Sequence, residues 1–154
     1  MDIKQLSKFL VKAKINTYTS SGEGGEKIIF DKSKEFEFIE GEFKYRDRYF
    51  GLNPFVGEEI VWQGEKVVWS MNYYGEIVSK ITSTKNVYQF LQEALKKITE
   101  DKPFRGPDNF KMDDFEYVNK AKGTVKKFGG EEIIFYKKKL VYKLIYHGGI
   151  VKEK

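Results

Sequence analysis

The spacing of apolar residues divides the chain into two kinds of segment. Over residues 2–14, Ile3, Leu6, Phe9, Leu10 and Ala13 recur at helical spacing, and Asp2 followed by Gln5 has a capping-box-like layout. A second stripe, Val87, Phe90, Leu91, Ala94, Leu95 and Ile98, predicts a helix over 84–99. Elsewhere apolar and polar residues alternate. That pattern predicts strands over 35–39, 42–50, 57–63, 66–74, 113–119, 122–128, 131–136 and 139–147. Glu40-Gly41 and Gln63-Gly64-Glu65 read as turns, residues 20–25 as a flexible loop, and Pro103, Gly106 and Pro107 as the connection into the last strands.

The same order of elements occurs twice. Residues 57–78 (GEEIVWQGEKVVWSMNYYGEIV) align without a gap on residues 130–151 (GEEIIFYKKKLVYKLIYHGGIV), and ten of 22 positions are identical. Chance would give roughly one or two. The Gly-Glu-Glu-Ile and Tyr-x-Gly-x-Ile-Val ends are not demanded by strand periodicity, which argues for a repeat. Upstream, Phe43-x-Tyr45 matches Phe115-x-Tyr117 with a one-residue slip. The expectation is a single α+β domain, residues 1–154, of two helix-plus-antiparallel-meander halves (about 1–80 and 81–154) related by internal duplication. About eight strands and two main helices would pack around a local two-fold axis.

Composition then removes several functions. The 154 residues contain no Cys and one His, so thiol nucleophiles, sulfur-ligated zinc and multi-histidine metal sites are excluded; no cofactor is expected. No run approaches the ~20 apolar residues a membrane helix needs, and Met1-Asp2-Ile3-Lys4-Gln5 lacks a signal-peptide layout, so a cytoplasmic location is expected. The net charge of +5 is local: residues 1–110 balance, while residues 111–154 hold 11 Lys against 6 acids. Lys137–Lys139 sits where a hairpin turn is expected, and a solvated turn is the ordinary meaning of such a run. Neither nucleic acid nor a membrane is therefore an expected partner.

Candidate chemistry comes from the strand faces. Val67, Trp69, Met71 and Tyr73 share one face with the look of core, as do Leu140, Tyr142, Leu144 and Tyr146. The opposite face, with Asn72, Tyr74 and His147, mixes polar and apolar groups as ligand pockets do, and as partly solvated sheet faces do equally. In the strand around Asp47, alternation places that carboxylate beside Tyr45 and Tyr49, where burial would raise its pKa; a buried Asp bonded to a tyrosine hydroxyl or an arginine is the structural alternative. Glu58 and Glu131 align with Ile60/Trp62 and Ile133/Phe135 and read as structural groups at strand starts. Gly22-Glu23-Gly24-Gly25 is not followed by the Lys-Ser/Thr helix of a phosphate loop. The leading expectation is a small-molecule or effector-binding module with Tyr45, Asp47, Tyr49, Asn72, Tyr74 and His147 as ligand-binding residues. The alternatives are an interaction module, acting as a homodimer or a subunit, and a hydrolase- or isomerase-like enzyme using Asp47 and His147.

The blocks Tyr45–Gly51, Phe55–Trp62, Val68–Gly75 (with Trp-x-Met-Asn-Tyr-Tyr-Gly) and Tyr146-His147-Gly148-Gly149 resemble a bacterial and archaeal domain family of unknown function. Ala13-Lys14 and Thr17-Tyr18 resemble its first segment, so the likeness covers nearly the whole chain. Some members resemble C-terminal modules of helix-turn-helix regulators, though this chain is expected to leave no room for such a domain in front. The resemblance implies an architecture but no reaction.

Overall fold

A computed structural model describes residues 2–21 and 25–152. The first helix, α1 (Ile3–Asn16), starts at Asp2, whose side chain accepts the Lys4 N–H, and buries Leu6, Phe9, Leu10 and Ala13. A four-residue turn of helix follows, α2 (Tyr18–Ser21), where a loop is expected from the sequence; Gly22, Glu23 and Gly24 of that loop lie outside the described residues. Next come β1 (Lys27–Ile28), β2 (Lys34–Glu40), β3 (Phe43–Gly51), β4 (Phe55–Gln63) and β5 (Lys66–Ile77). Helix α3 (Thr84–Leu95), capped by Ser83, leads to β6 (Asn109–Met112), β7 (Phe115–Thr124), β8 (Lys127–Tyr136) and β9 (Lys139–Ile150).

These nine strands form one antiparallel sheet in the order β1-β2-β3-β4-β5-β9-β8-β7-β6. Neighbours in sequence are joined as hairpins on either side of a central seam. There β5 pairs with β9, with Tyr73 opposite Tyr146 and Asn72 opposite His147. Both long helices lie on the same sheet face, and their apolar stripes join Phe43, Val61, Trp69, Met71, Ile134, Leu144 and the inward tyrosines in a single core.

This architecture corrects the expected two helix-plus-meander halves with about eight strands. The seam makes one continuous sheet and one shared core, so the helix-bearing segments do not pack as separate halves. Strand limits move as well. The break expected at Gly129-Gly130 does not occur; both glycines lie inside β8, because a Cβ at Gly130 would overlap the Tyr146 ring. Helix α3 stops at Leu95 rather than residue 99, tightening into i→i+3 bonds at Lys97 and Ile98, which still buries Ile98. A bulge between Ile134 and Phe135 shifts the alternation of β9, so Val141 is buried and Leu140 turns outward, opposite to the simple period-two reading.

Candidate functional site

The helix-covered face of the sheet should be dry, yet it carries charge. Rows of in-register residues put Tyr45, Asp47, Tyr49, Glu59 and Tyr73 on that face on one side of the seam. Tyr117, Asn119, Glu132, Tyr142 and Tyr146 lie on it on the other. Buried carboxylates are costly unless cations and donors meet them. Two cations do so: Lys14 from the last turn of α1, and Arg105 from the segment after α3.

On the β9 side the demand is fully met. Glu132 has no solvent exposure and receives Arg105 through two contacts, Nη2–Oε1 at 2.6 Å and Nε–Oε2 at 3.1 Å. Tyr117 donates to Oε2 at 2.7 Å and Tyr142 to Oε1 at 2.9 Å. The Tyr117 oxygen in turn accepts the Gly106 N–H. Tyr146 donates to Asn119 Oδ1 at 2.7 Å, and Asn119 Nδ2 donates to the Gly106 carbonyl. Burial opposes the Arg105 charge, but the Glu132 carboxylate outweighs it and holds the guanidinium pKa well above its ordinary value. Burial, then the Glu132 charge, pushes the Tyr117 and Tyr142 hydroxyls well up as well.

The β5 side repeats these parts with different residues. Lys14 donates to Glu59 and, at 2.8 Å, to the Phe104 carbonyl. Tyr45 lies against the same carboxylate, and Tyr73 donates to Asp47 Oδ1 at 2.5 Å. Burial lowers the Lys14 pKa against the pull of Glu59. Asp47, 7% exposed, has no cation within ion-pair distance among the described residues. Burial, followed by the Glu59 charge, raises its pKa to about 7, against the opposing pull of the Tyr73 hydrogen bond, Lys14 and Arg105.

This second cluster borders empty space. A cavity of about 60 Å³ lies between α1, α2, α3 and the sheet, with Lys14, Asp47, Glu59 and Arg105 at its polar end. Tyr45, Tyr49, Phe55, Tyr73 and Tyr88 form aromatic walls, and Leu91, Leu95 and Ile98 an apolar side. That is room for a few waters or for the head of a small organic molecule. Among the described residues, no group of three His, Cys, Asp or Glu side chains could hold a metal ion.

The six residues singled out from the sequence therefore separate. Tyr45, Asp47 and Tyr49 line the cavity, while Asn72, Tyr74 and His147 project from the opposite, solvent-facing side of the sheet. Asp47 and His147 share no cavity, which removes the geometric basis for joint acid–base chemistry. Asn72 instead borders a shallow outer groove of about 430 Å³ with Arg48 and Glu58. The sequence reading missed Lys14, Glu59, Arg105 and Glu132. Glu59 and Glu132 occupy identical positions of the aligned segments 57–78 and 130–151 and share strand parity with the buried Val61 and Ile134, a signal the sequence carries.

A family model described as a domain of unknown function (DUF5680) matches residues 47–151. The chain belongs to this family. The DUF5680 match contains Asp47, Glu59, Tyr73, Arg105 and the whole Glu132 cluster, whereas Lys14 and Tyr45 precede it. No curated protein and no solved structure matches the chain. No helix among the described residues is long and apolar enough to cross a membrane.

Proposed function

We propose that the protein is a binding module for a small molecule, taken up in the cavity between the helices and the sheet. One observation carries this reading. Two clusters of the same chemical make-up are buried on one sheet face, and the one at Asp47 and Glu59 is left with space beside it. Aromatic and apolar walls with a few convergent polar groups are the usual make-up of a ligand pocket. Tyr45, Asp47 and Tyr49 are the ligand-contacting residues of this reading. A thermal-shift screen against a metabolite library tests it, because a ligand bound only by the native state raises Tm. Hits should lose their effect in Ile98→Phe, which narrows the cavity; a library without hits, or hits indifferent to Ile98→Phe, would overturn the reading.

A second reading rests on the outer face. Phe50, Val56, Tyr74 and Ile145 fall in one register row across β3, β4, β5 and β9, and all four are exposed. A contiguous apolar row on an open sheet face suits contact with another protein or a second copy of the chain. Sedimentation of the wild type against Ile145→Lys separates the cases: a dimer that dissociates in the variant supports self-association, and a monomer at high concentration opposes it.

A further inference from the structure

We infer that the ligand of this cavity is a small organic cation, a protonated amine or guanidinium head on a short apolar body, with Asp47 as its counter-ion; the inference rests on the cavity being a ligand site. The argument is a charge balance. The buried face holds three carboxylates, Asp47, Glu59 and Glu132, and two cations, Lys14 and Arg105. Lys14 is committed to Glu59, and Arg105 to Glu132 through both carboxylate oxygens. Asp47 is left over. Its Oδ1 accepts the Tyr73 hydroxyl, and no donor among the described residues reaches Oδ2. At the corresponding place of the other cluster, the residue bonded by a tyrosine hydroxyl is the neutral Asn119.

The walls suit the same ligand class. Tyr45, Tyr49, Tyr73 and Phe55 line the space, and aromatic faces attract cations most when water is excluded. The cavity is well below the ~150 Å³ that accommodates benzene in an engineered apolar cavity, so a head of a few heavy atoms fits and a bulky one does not. An anionic head would have to displace Lys14 from Glu59 or Arg105 from Glu132. A neutral head would leave an ionised Asp47 unbalanced.

Calorimetric titration of the full chain with n-butylammonium, guanidinium, n-butanol and butyrate tests the inference. Butylammonium or guanidinium should bind at pH 8, with Asp47→Asn weakening it at least tenfold while circular dichroism shows the fold intact. Asn119 indicates that an amide satisfies the tyrosine bond equally well. Affinity should fall on lowering the pH through about 7, as Asp47 takes up a proton among its facing groups Glu59 on β4, Tyr73 on β5, Lys14 on α1 and Arg105 beyond α3. Binding of butanol or butyrate alone, or amine binding indifferent to Asp47→Asn, would overturn the cation while leaving a ligand cavity. Binding by none of the four, together with a metabolite screen without hits, would overturn both.

Discussion

The two buried clusters differ less in composition than in closure. Each has a carboxylate on the middle strand of a hairpin pair, a tyrosine from the strand before it, a second tyrosine reaching across, and a cation from outside the sheet. Around Glu132 an arginine fork, two hydroxyls and the Gly106 backbone use the available lone pairs and N–H groups, and Phe104 stacks on Phe128 at 4.0 Å. Around Glu59 a lysine replaces the arginine, an aspartate replaces the asparagine, and space remains. A planar five-donor cation locks its partner in place, whereas an ammonium on a flexible stem is a point charge that tolerates rearrangement. The first arrangement suits a structural core and the second a site.

Removing each cation should widen the contrast most. Arg105→Met leaves Glu132 fully buried with only hydroxyl partners, and should cost roughly 3–5 kcal/mol in urea unfolding. Lys14→Met leaves Glu59 beside the cavity, where water can solvate it, and should cost less, about 1–3 kcal/mol. Equal losses would mean that the two clusters are equally dry.

Exchanging Asp47 and Asn119 gives the next largest effect. The native pKa of Asp47 is about 7 against an unfolded value of 3.8, so between these pH values the folded state binds the extra proton. Its contribution to stability is present below the unfolded value and is lost as pH rises through about 7. Asp47→Asn should therefore match the wild type near pH 4 and exceed it above pH 7, on the order of 3 kcal/mol. Asn119→Asp should acquire the same liability and lose stability as pH rises. Parallel stability–pH curves for wild type and Asp47→Asn would show that the carboxylate is not desolvated.

Smallest should be the effect at the hairpin tips. Lys137 and Lys138 connect β8 to β9 with φ of 49° and 63°, a turn that favours Asn-Gly, while Gly64 occupies the β4–β5 turn at 61°. Replacing Lys137-Lys138 by Asn-Gly should stabilise by roughly 0.5–1 kcal/mol, and Gly64→Lys should destabilise by a similar amount. Thermal unfolding of the two variants checks both signs.

Much of this was visible in the residue order. Alternation put Asp47 among tyrosines, and the helical stripes located α1 and α3. Alternation aligns Glu58 with Ile60 and Trp62, which look like core, but Lys44 and Arg46 cover Trp62 from the outer side. That left Glu58 rather than Glu59 in view. Arg105 lies in a segment with no periodicity, and Lys14 is one lysine among many until the sheet brings Glu59 beneath it. The shared Gly-Glu-Glu acquires a meaning only in three dimensions. At both Gly57 and Gly130 the tyrosine of the next long strand, Tyr73 or Tyr146, crosses where a Cβ would stand.

The β5–β9 seam also governs how the chain reaches this structure. Every other pairing joins strands that follow one another along the chain, so each can form after closing a short loop. The seam brings Trp69 to Ile150 and Tyr73 to Tyr146, with α3 and three strands of intervening chain to be organised first. Ordering contacts so distant in sequence costs loop entropy before it is repaid. The seam should be the slow step of folding, and either set of hairpins made alone would expose a raw strand edge in the middle of what becomes the sheet.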